Sequence, residues 1–234
     1  MIIGTRVLYP EEVEFRNAEL LQISVYRGMD GNLDFMRRCA LACRKTGVSY
    51  VIHPVKYPLL EEDTFEDLRE MAEWADLALI LHDEKTPDGE RIEGKYETLF
   101  RDILEKLGSI TSVSFENAVD TRDAEWFWNN FADSVTLDIG HIESSGLESP
   151  GFVKSLSESA IKKIQFVHMH RNNGLHGGIT DHWPLKPGCR ELRALEELIK
   201  IKPDVRVILE LNEVDKIGES LDLLKEFRER LQQP

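Results

Sequence analysis

The sequence predicts an α/β fold: a single (β/α)8 TIM barrel over residues 1–234, with a shortened, irregular first crossover. Three observations lead there. Short Val/Ile/Leu-rich runs alternate with amphipathic stretches along the whole chain. The 234 residues are close to the length such a barrel needs. No glycine-rich phosphate turn (GxGxxG or GxxxxGK(S/T)) supports the competing open, doubly wound sheet. Branched apolar runs without strict alternation suit parallel strands buried on both faces.

The elements follow in order. A strand is expected at 2–8 (IIGTRVL), and the segment YPEEVEFRNAEL after it is too short for a full crossover helix. Strand 20–26 (LLQISVY) leads to a helix over 31–46 that ends before Gly47. Strand 49–54 (SYVIHP) precedes helix 62–76, and strand 77–83 (LALILHD) precedes helix 92–107, which ends before Gly108. Strand 110–117 (ITSVSFEN) pairs with helix 122–131, and strand 134–141 (SVTLDIGH) with helix 150–160. Strand 164–170 (IQFVHMH), helix 188–201, strand 205–211 (VRVILEL) and helix 215–231 complete the series. Neither a low-complexity segment nor a linker interrupts it, so one domain is expected.

Charge narrows the function classes. Against 29 basic residues stand 43 acidic ones, a formal net of −14. That surface disfavours phosphate backbones, and the longest basic runs are Arg37-Arg38 and Lys162-Lys163. No apolar stretch approaches the roughly 20 residues a membrane span needs, and the N-terminus MIIGTRVLYPEEVEF turns acidic too early for a signal peptide. Three cysteines, an odd number, fit a reducing cytoplasm rather than a disulfide framework. Cys39 and Cys43, four apart, share a helix face near Phe35 and Met36 and read as small buried hydrophobes. The expected partner is a small molecule, with nucleic acid and membrane disfavoured and an oligomer compatible with the sequence.

The polar residues concentrate at strand ends. His53 ends the third predicted strand, His82 the fourth and Glu116 the fifth. Asp138, with His141 three residues on, ends the sixth; His168 is near the end of the seventh, with His182 in the loop beyond; Glu210 is near the end of the eighth. In a parallel barrel these ends form the face that carries active sites. A lone histidine there is commonly structural, and an acid after a strand is commonly a helix cap. Six consecutive strand ends would need six such excuses. So much carboxylate beside apolar strands calls for a neutraliser, and a divalent cation is the simplest. Mixed imidazole and carboxylate donors suit zinc, manganese, iron or cobalt better than magnesium or calcium, with one to three ions held.

The order His, His, Glu, Asp-x-x-His, His, His, Glu resembles the xylose isomerase-like superfamily. The motifs SFEN, LDIGH, HMHRNNG…DHWPLKPG and ILEL all have counterparts there. That group includes sugar and keto-sugar isomerases and epimerases, and the abasic-site nucleases of the endonuclease IV type (AP endonuclease family 2). The resemblance implies one metal held by Glu116, Asp138, His168 and Glu210, with Glu116 and Glu210 also the acid/base pair. In its nuclease branch a trinuclear zinc site adds His53, His82, His141 and His182. That branch carries an Asp two residues before the last of these; here the position is Thr180, with Asp181 out of register.

Of the smaller features, Trp183 follows His182, placed either to stack on a sugar face or to pack against the rim. Trp126 and Trp128 suit helix packing. Lys56, Arg171 and Lys186 lie at strand ends or in the seventh loop, where they would either bind a substrate phosphate or carboxylate or solvate the surface. His170 is expected to face away from His168, and His176 lies in a glycine-flanked loop; both are left outside the ligand set. Three functions fit. The favoured one is a metal-dependent isomerase or epimerase of a small sugar, keto-sugar or related compound, working by carboxylate-mediated proton transfer. The others are a zinc-dependent phosphoester hydrolase of the endonuclease IV type and a non-catalytic barrel that binds metal or ligand.

Overall fold

In the computed structural model, which describes residues 1–172, 182–211 and 213–232, eight parallel strands close into a barrel, β8 pairing with β1. The strands are β1 (Ile2–Val7), β2 (Leu20–Tyr26), β3 (Ser49–Val55), β4 (Leu79–His82), β5 (Val113–Glu116), β6 (Ser134–Asp138), β7 (Ile164–Met169) and β8 (Arg206–Leu209). The described helices are α1 (Asn32–Thr46), α2 (Phe65–Trp74), α3 (Lys95–Gly108), α4 (Ala124–Phe131), α5 (Ile139–Ser144), α6 (Ser149–Ser155), α7 (Glu158–Lys163), α8 (Arg190–Ile201) and α9 (Val214–Gln232). None is long and apolar enough to cross a membrane.

The first crossover is irregular, as the short segment predicts. A single 3-10 turn, Pro10–Glu14, replaces a helix, with proline in the first turn where its missing N–H costs nothing. Gly47 ends α1 in the left-handed conformation (φ 74°), its N–H donating to the Cys43 carbonyl. Both Cys39 and Cys43 are fully buried on the inner face of α1. Trp128 is likewise fully buried, and Trp126 packs edge-on against Phe131.

Several expected boundaries move: α3 runs through Gly108 instead of ending before it, its C-cap Ser109 N–H donating to the Glu105 carbonyl, and three more shifts lie near the site. Strand 134–141 stops at Asp138, because the Asp138 side chain accepts the His141 N–H at 2.7 Å and caps α5. Helix 150–160 is two helices: Leu156 is extended, and Ser157 starts α7 by accepting the Ala160 N–H. The seventh strand ends at Met169, one residue short of His170.

Alternate strand residues face the barrel axis. Leu20, Val51, Ala78, Ile80, Phe166 and Ile208 form a dry plug inside. Within β5 and β6, Ser114 sits 2.8 Å from Thr136 and accepts from Ser134, so the buried hydroxyls satisfy one another. A larger apolar cluster fills the layer between strands and helices. Strand register then levels the functional residues: His82 is paired with Glu116, and Asp138 with His168.

Candidate metal centre

The eight imidazole and carboxylate residues singled out in the sequence as ligands (His53, His82, Glu116, Asp138, His141, His168, His182 and Glu210) converge at the C-terminal mouth. Glu116 is the hub. Its Oε2 lies 3.4 Å from His53 Nε2, 3.8 Å from His82 Nε2 and 3.2 Å from His168 Nδ1, while its Oε1 lies 3.2 Å from His141 Nδ1. Across the mouth, Glu210 Oε2 is 3.6 Å from His168 Nδ1 and 3.4 Å from His182 Nε2. Asp138 Oδ2 is 3.6 Å from His141 and 3.8 Å from His168. Thr180, Asp181 and His176 lie outside the described residues.

Among the described residues, three groups of donor atoms are close enough to share an ion: Glu116, Asp138, His168 and Glu210; His53, His82 and Glu116; and Asp138, His141 and His170. The first is fully buried. Within it, Glu116 Oε2 and His168 Nδ1 lie 3.2 Å apart, and both are buried with no hydrogen-bond partner among the described residues. Leaving two polar atoms orphaned is expensive in a site without further ligands. Their chemistry, two carboxylates and an imidazole nitrogen around one point with a third carboxylate adjacent, fits a divalent cation.

Neighbouring residues hold these donors in place. Gln22 on β2 donates to Glu210 Oε1, and its amide oxygen lies 2.8 Å from His168 Nε2. The amide oxygen can only accept, so His168 carries a proton on Nε2 and turns Nδ1 toward the carboxylates. His53 is set the same way, with Nδ1 bonded to the Ile80 carbonyl at 2.9 Å and Nε2 facing Glu116. Asn117, the last residue of the SFEN motif, clamps β5 to β6. Its side chain accepts the Asp138 N–H at 2.8 Å and donates to the Asp138 carbonyl at 2.9 Å. Arg6, buried on β1, donates to the Leu211 carbonyl and to Tyr26 Oη.

Burial and charge oppose each other here. Burial pushes the Glu116 carboxyl up, but the His168 charge and the His141 hydrogen bond outweigh it and hold Glu116 well below the usual range. The same contest, won by His168 and His182, lowers Glu210. His168 loses by burial and gains from Glu210 and Glu116, ending at about 9. His82, desolvated with weaker compensation, falls to about 4 and stays neutral. The metal-free cluster thus balances its carboxylates with protonated imidazoles, which an ion would displace.

His170 corrects the sequence expectation. Residues two apart on a strand share a face, so His170 turns inward with His168, not away. It is fully buried, with Nε2 3.2 Å from Asp138. The signal was the Gly140 of LDIGH: a Cβ there would sit 2.0 Å from the His170 ring. Gln22, on an adjacent β2 position of otherwise apolar character, gave no motif to find it by.

The outlying candidates divide. Lys56, exposed and in the left-handed region (φ 64°), lines a cleft of about 380 Å³ with His82 and Arg27. A larger cleft of about 950 Å³, lined by Tyr9, Tyr26, Met29 and Phe35, opens beside the ends of β1 and β2. Trp183 bridges backbone-to-backbone with Arg171, whose side chain reaches the Pro184 carbonyl, so the two hold each other at the barrel rim. Lys186 is exposed at the approach to α8.

No protein-family model matches the chain, and no curated protein sequence matches it. Solved structures do. A D-tagatose 3-epimerase-like protein superposes with a TM-score of 0.71 at 19% identity, covering 99% of this chain and 98% of that one. D-psicose 3-epimerase of Clostridium cellulolyticum H10, solved with D-tagatose, gives 0.59 at 11% identity over 98% and 95%. A phosphonopyruvate hydrolase, in complex with oxalate and Mg²⁺, gives 0.59 at 12% over 99% and 82%. The likeness is one of fold, and it is the (β/α)8 barrel that the sequence predicts.

Proposed function

We propose that this barrel is a metal-dependent isomerase or epimerase of a small sugar, keto-sugar or related polyhydroxy compound. The observation that carries this reading is the buried four-donor group Glu116, Asp138, His168 and Glu210, with Glu116 Oε2 and His168 Nδ1 lacking a hydrogen-bond partner among the described residues. A divalent ion held there supplies polarisation of a carbonyl and its adjacent hydroxyl, which acidifies the neighbouring C–H. Glu116 and Glu210 reach in from β5 and β8, three strands apart around the ring, so a substrate carbon between them meets a carboxylate on each side. One takes the carbon-bound proton as the other stands ready to return one. Gln22 fixes Glu210 and His168 together, keeping both in register with the reacting carbon. The dry plug beneath seals the floor against water. The epimerases among the solved barrels of the same fold add support.

A second reading, a zinc-dependent phosphoester hydrolase, is favoured by one observation: His53 and His82 converge on Glu116 as a second donor group. Elemental analysis of protein purified without added metal, paired with two assays, separates them. One tightly bound ion per chain with exchange of a keto-sugar's C–H for deuterium is the expected result, and Glu116→Gln abolishes it. Two or three zincs with hydrolysis of a bis-phosphodiester would overturn it. An ion without either turnover marks the non-catalytic barrel.

A further inference from the structure

We propose that His170 is a positioning residue, not a metal ligand: its ring orients Asp138 and holds His182 in place. The proposal rests on the metal-centre reading above and deepens it.

Both ring nitrogens are committed. Nδ1 accepts the backbone N–H of His182 at 3.0 Å, so Nδ1 is bare. The proton therefore sits on Nε2, which lies 3.2 Å from each oxygen of Asp138 and donates to the carboxylate. The neutral ring's one lone pair, on Nδ1, is taken by the His182 N–H, which leaves none for an ion, although His170 stands within the Asp138–His141 donor group. Asp138 Oδ1 already accepts the His141 N–H and Oδ2 takes the His170 hydrogen bond, so the two donors set the carboxylate's plane with Oδ2 3.8 Å from His168 Nδ1.

The same ring holds His182. His182 stacks on it at 4.3 Å with an interplanar angle of 7°, in the left-handed backbone region (φ 57°) that a non-glycine residue seldom adopts. The hydrogen bond to Nδ1 and the stacked rings over-determine that conformation. From there His182 Nε2 reaches within 3.4 Å of Glu210 Oε2. One buried ring thus links the Asp138 carboxylate to the Glu210 carboxylate through His182. The space for it exists because residue 140 is glycine.

Two measurements test this. Nitrogen-15 NMR of the metal-free protein, with the signal assigned by its loss in His170→Gln, is expected to show His170 protonated on Nε2 only. The other tautomer would overturn the proposal. Cobalt titration of wild type, His170→Gln and His170→Leu reads the second consequence. His170→Leu is expected to bind about 10–100-fold more weakly at an unchanged ion count, and His170→Gln, which keeps a donor toward Asp138, to recover much of the loss. Wild-type affinity in His170→Leu, or one ion fewer at saturation, would refute a positioning role. Should His170→Leu not fold, His170→Gln and the tautomer decide. If the wild type binds no cobalt, the metal-centre reading fails, and the tautomer still tests His170 by itself.

Discussion

Gly140→Ala should do much of its damage through His170. Gly140 lies in the first turn of α5 without a left-handed backbone, so alanine is conformationally allowed there and by propensity favoured by up to about 1 kcal/mol. The obstacle is space. The new Cβ would lie 2.0, 2.3 and 2.4 Å from Cε1, Nδ1 and Nε2 of His170. Ordinary contact begins well beyond 3 Å, so the ring must retreat by more than 1 Å, which breaks its bonds to His182 and Asp138. Losing one neutral and one charge-assisted hydrogen bond, with local overpacking, costs about 3–5 kcal/mol in total. For a chain of this size that lowers Tm by about 6–20 °C. Thermal unfolding of the metal-free protein reads the loss. The decisive control is the same substitution in a His170→Ala background, where the clash is gone and Gly140→Ala should be neutral or slightly stabilising. If Gly140→Ala costs as much there as in the wild type, or costs less than about 1 kcal/mol in the wild type, the steric argument is wrong.

Gln22→Leu removes the link between Glu210 and His168 and should weaken cobalt or zinc binding about 10–100-fold, read by competition with a chelating dye; an unchanged affinity would show the link is dispensable. Glu84, mostly buried while accepting the Leu59 and Leu60 N–H groups, is pushed up to about 7 by desolvation. The folded state then keeps a proton that the unfolded chain, at about 4.5, has lost, so stability falls as pH rises from about 4.5 to 7. The full effect is at most about 3 kcal/mol, less what solvent screens at its partly exposed edge. Glu84→Gln should flatten that slope in urea unfolding across the window, and a slope that persists would assign it elsewhere. Cys39 and Cys43, both pushed up to about 12 by burial, should resist thiol reagents in the native state and react only on unfolding, as counted by mass spectrometry.

The barrel and the level of its site were legible in the chain. Parallel strands flanked by helices must be apolar on both faces, so their runs stand out, and a polar residue that ends such a run marks the mouth. His53, His82, Glu116, Asp138 and His168 could be placed at one height from sequence alone, since each is tied to the end of its own strand. What the chain could not disclose is which atoms face which. Gln22 meets His168 and Glu210 across 146 and 188 residues, and only closure of the barrel brings β2 beside them. The tautomers of His53 and His168 follow from a carbonyl and an amide on other strands. His170 shows both sides. Strand parity, applied correctly, already turns it inward with His168; the tertiary structure adds that Gly140 leaves it a cradle and that His182 returns to take its second nitrogen. Local pattern determines where a side chain starts and which way it points, whereas its hydrogen-bond partners, and hence its chemistry, depend on residues that only the closed barrel makes neighbours.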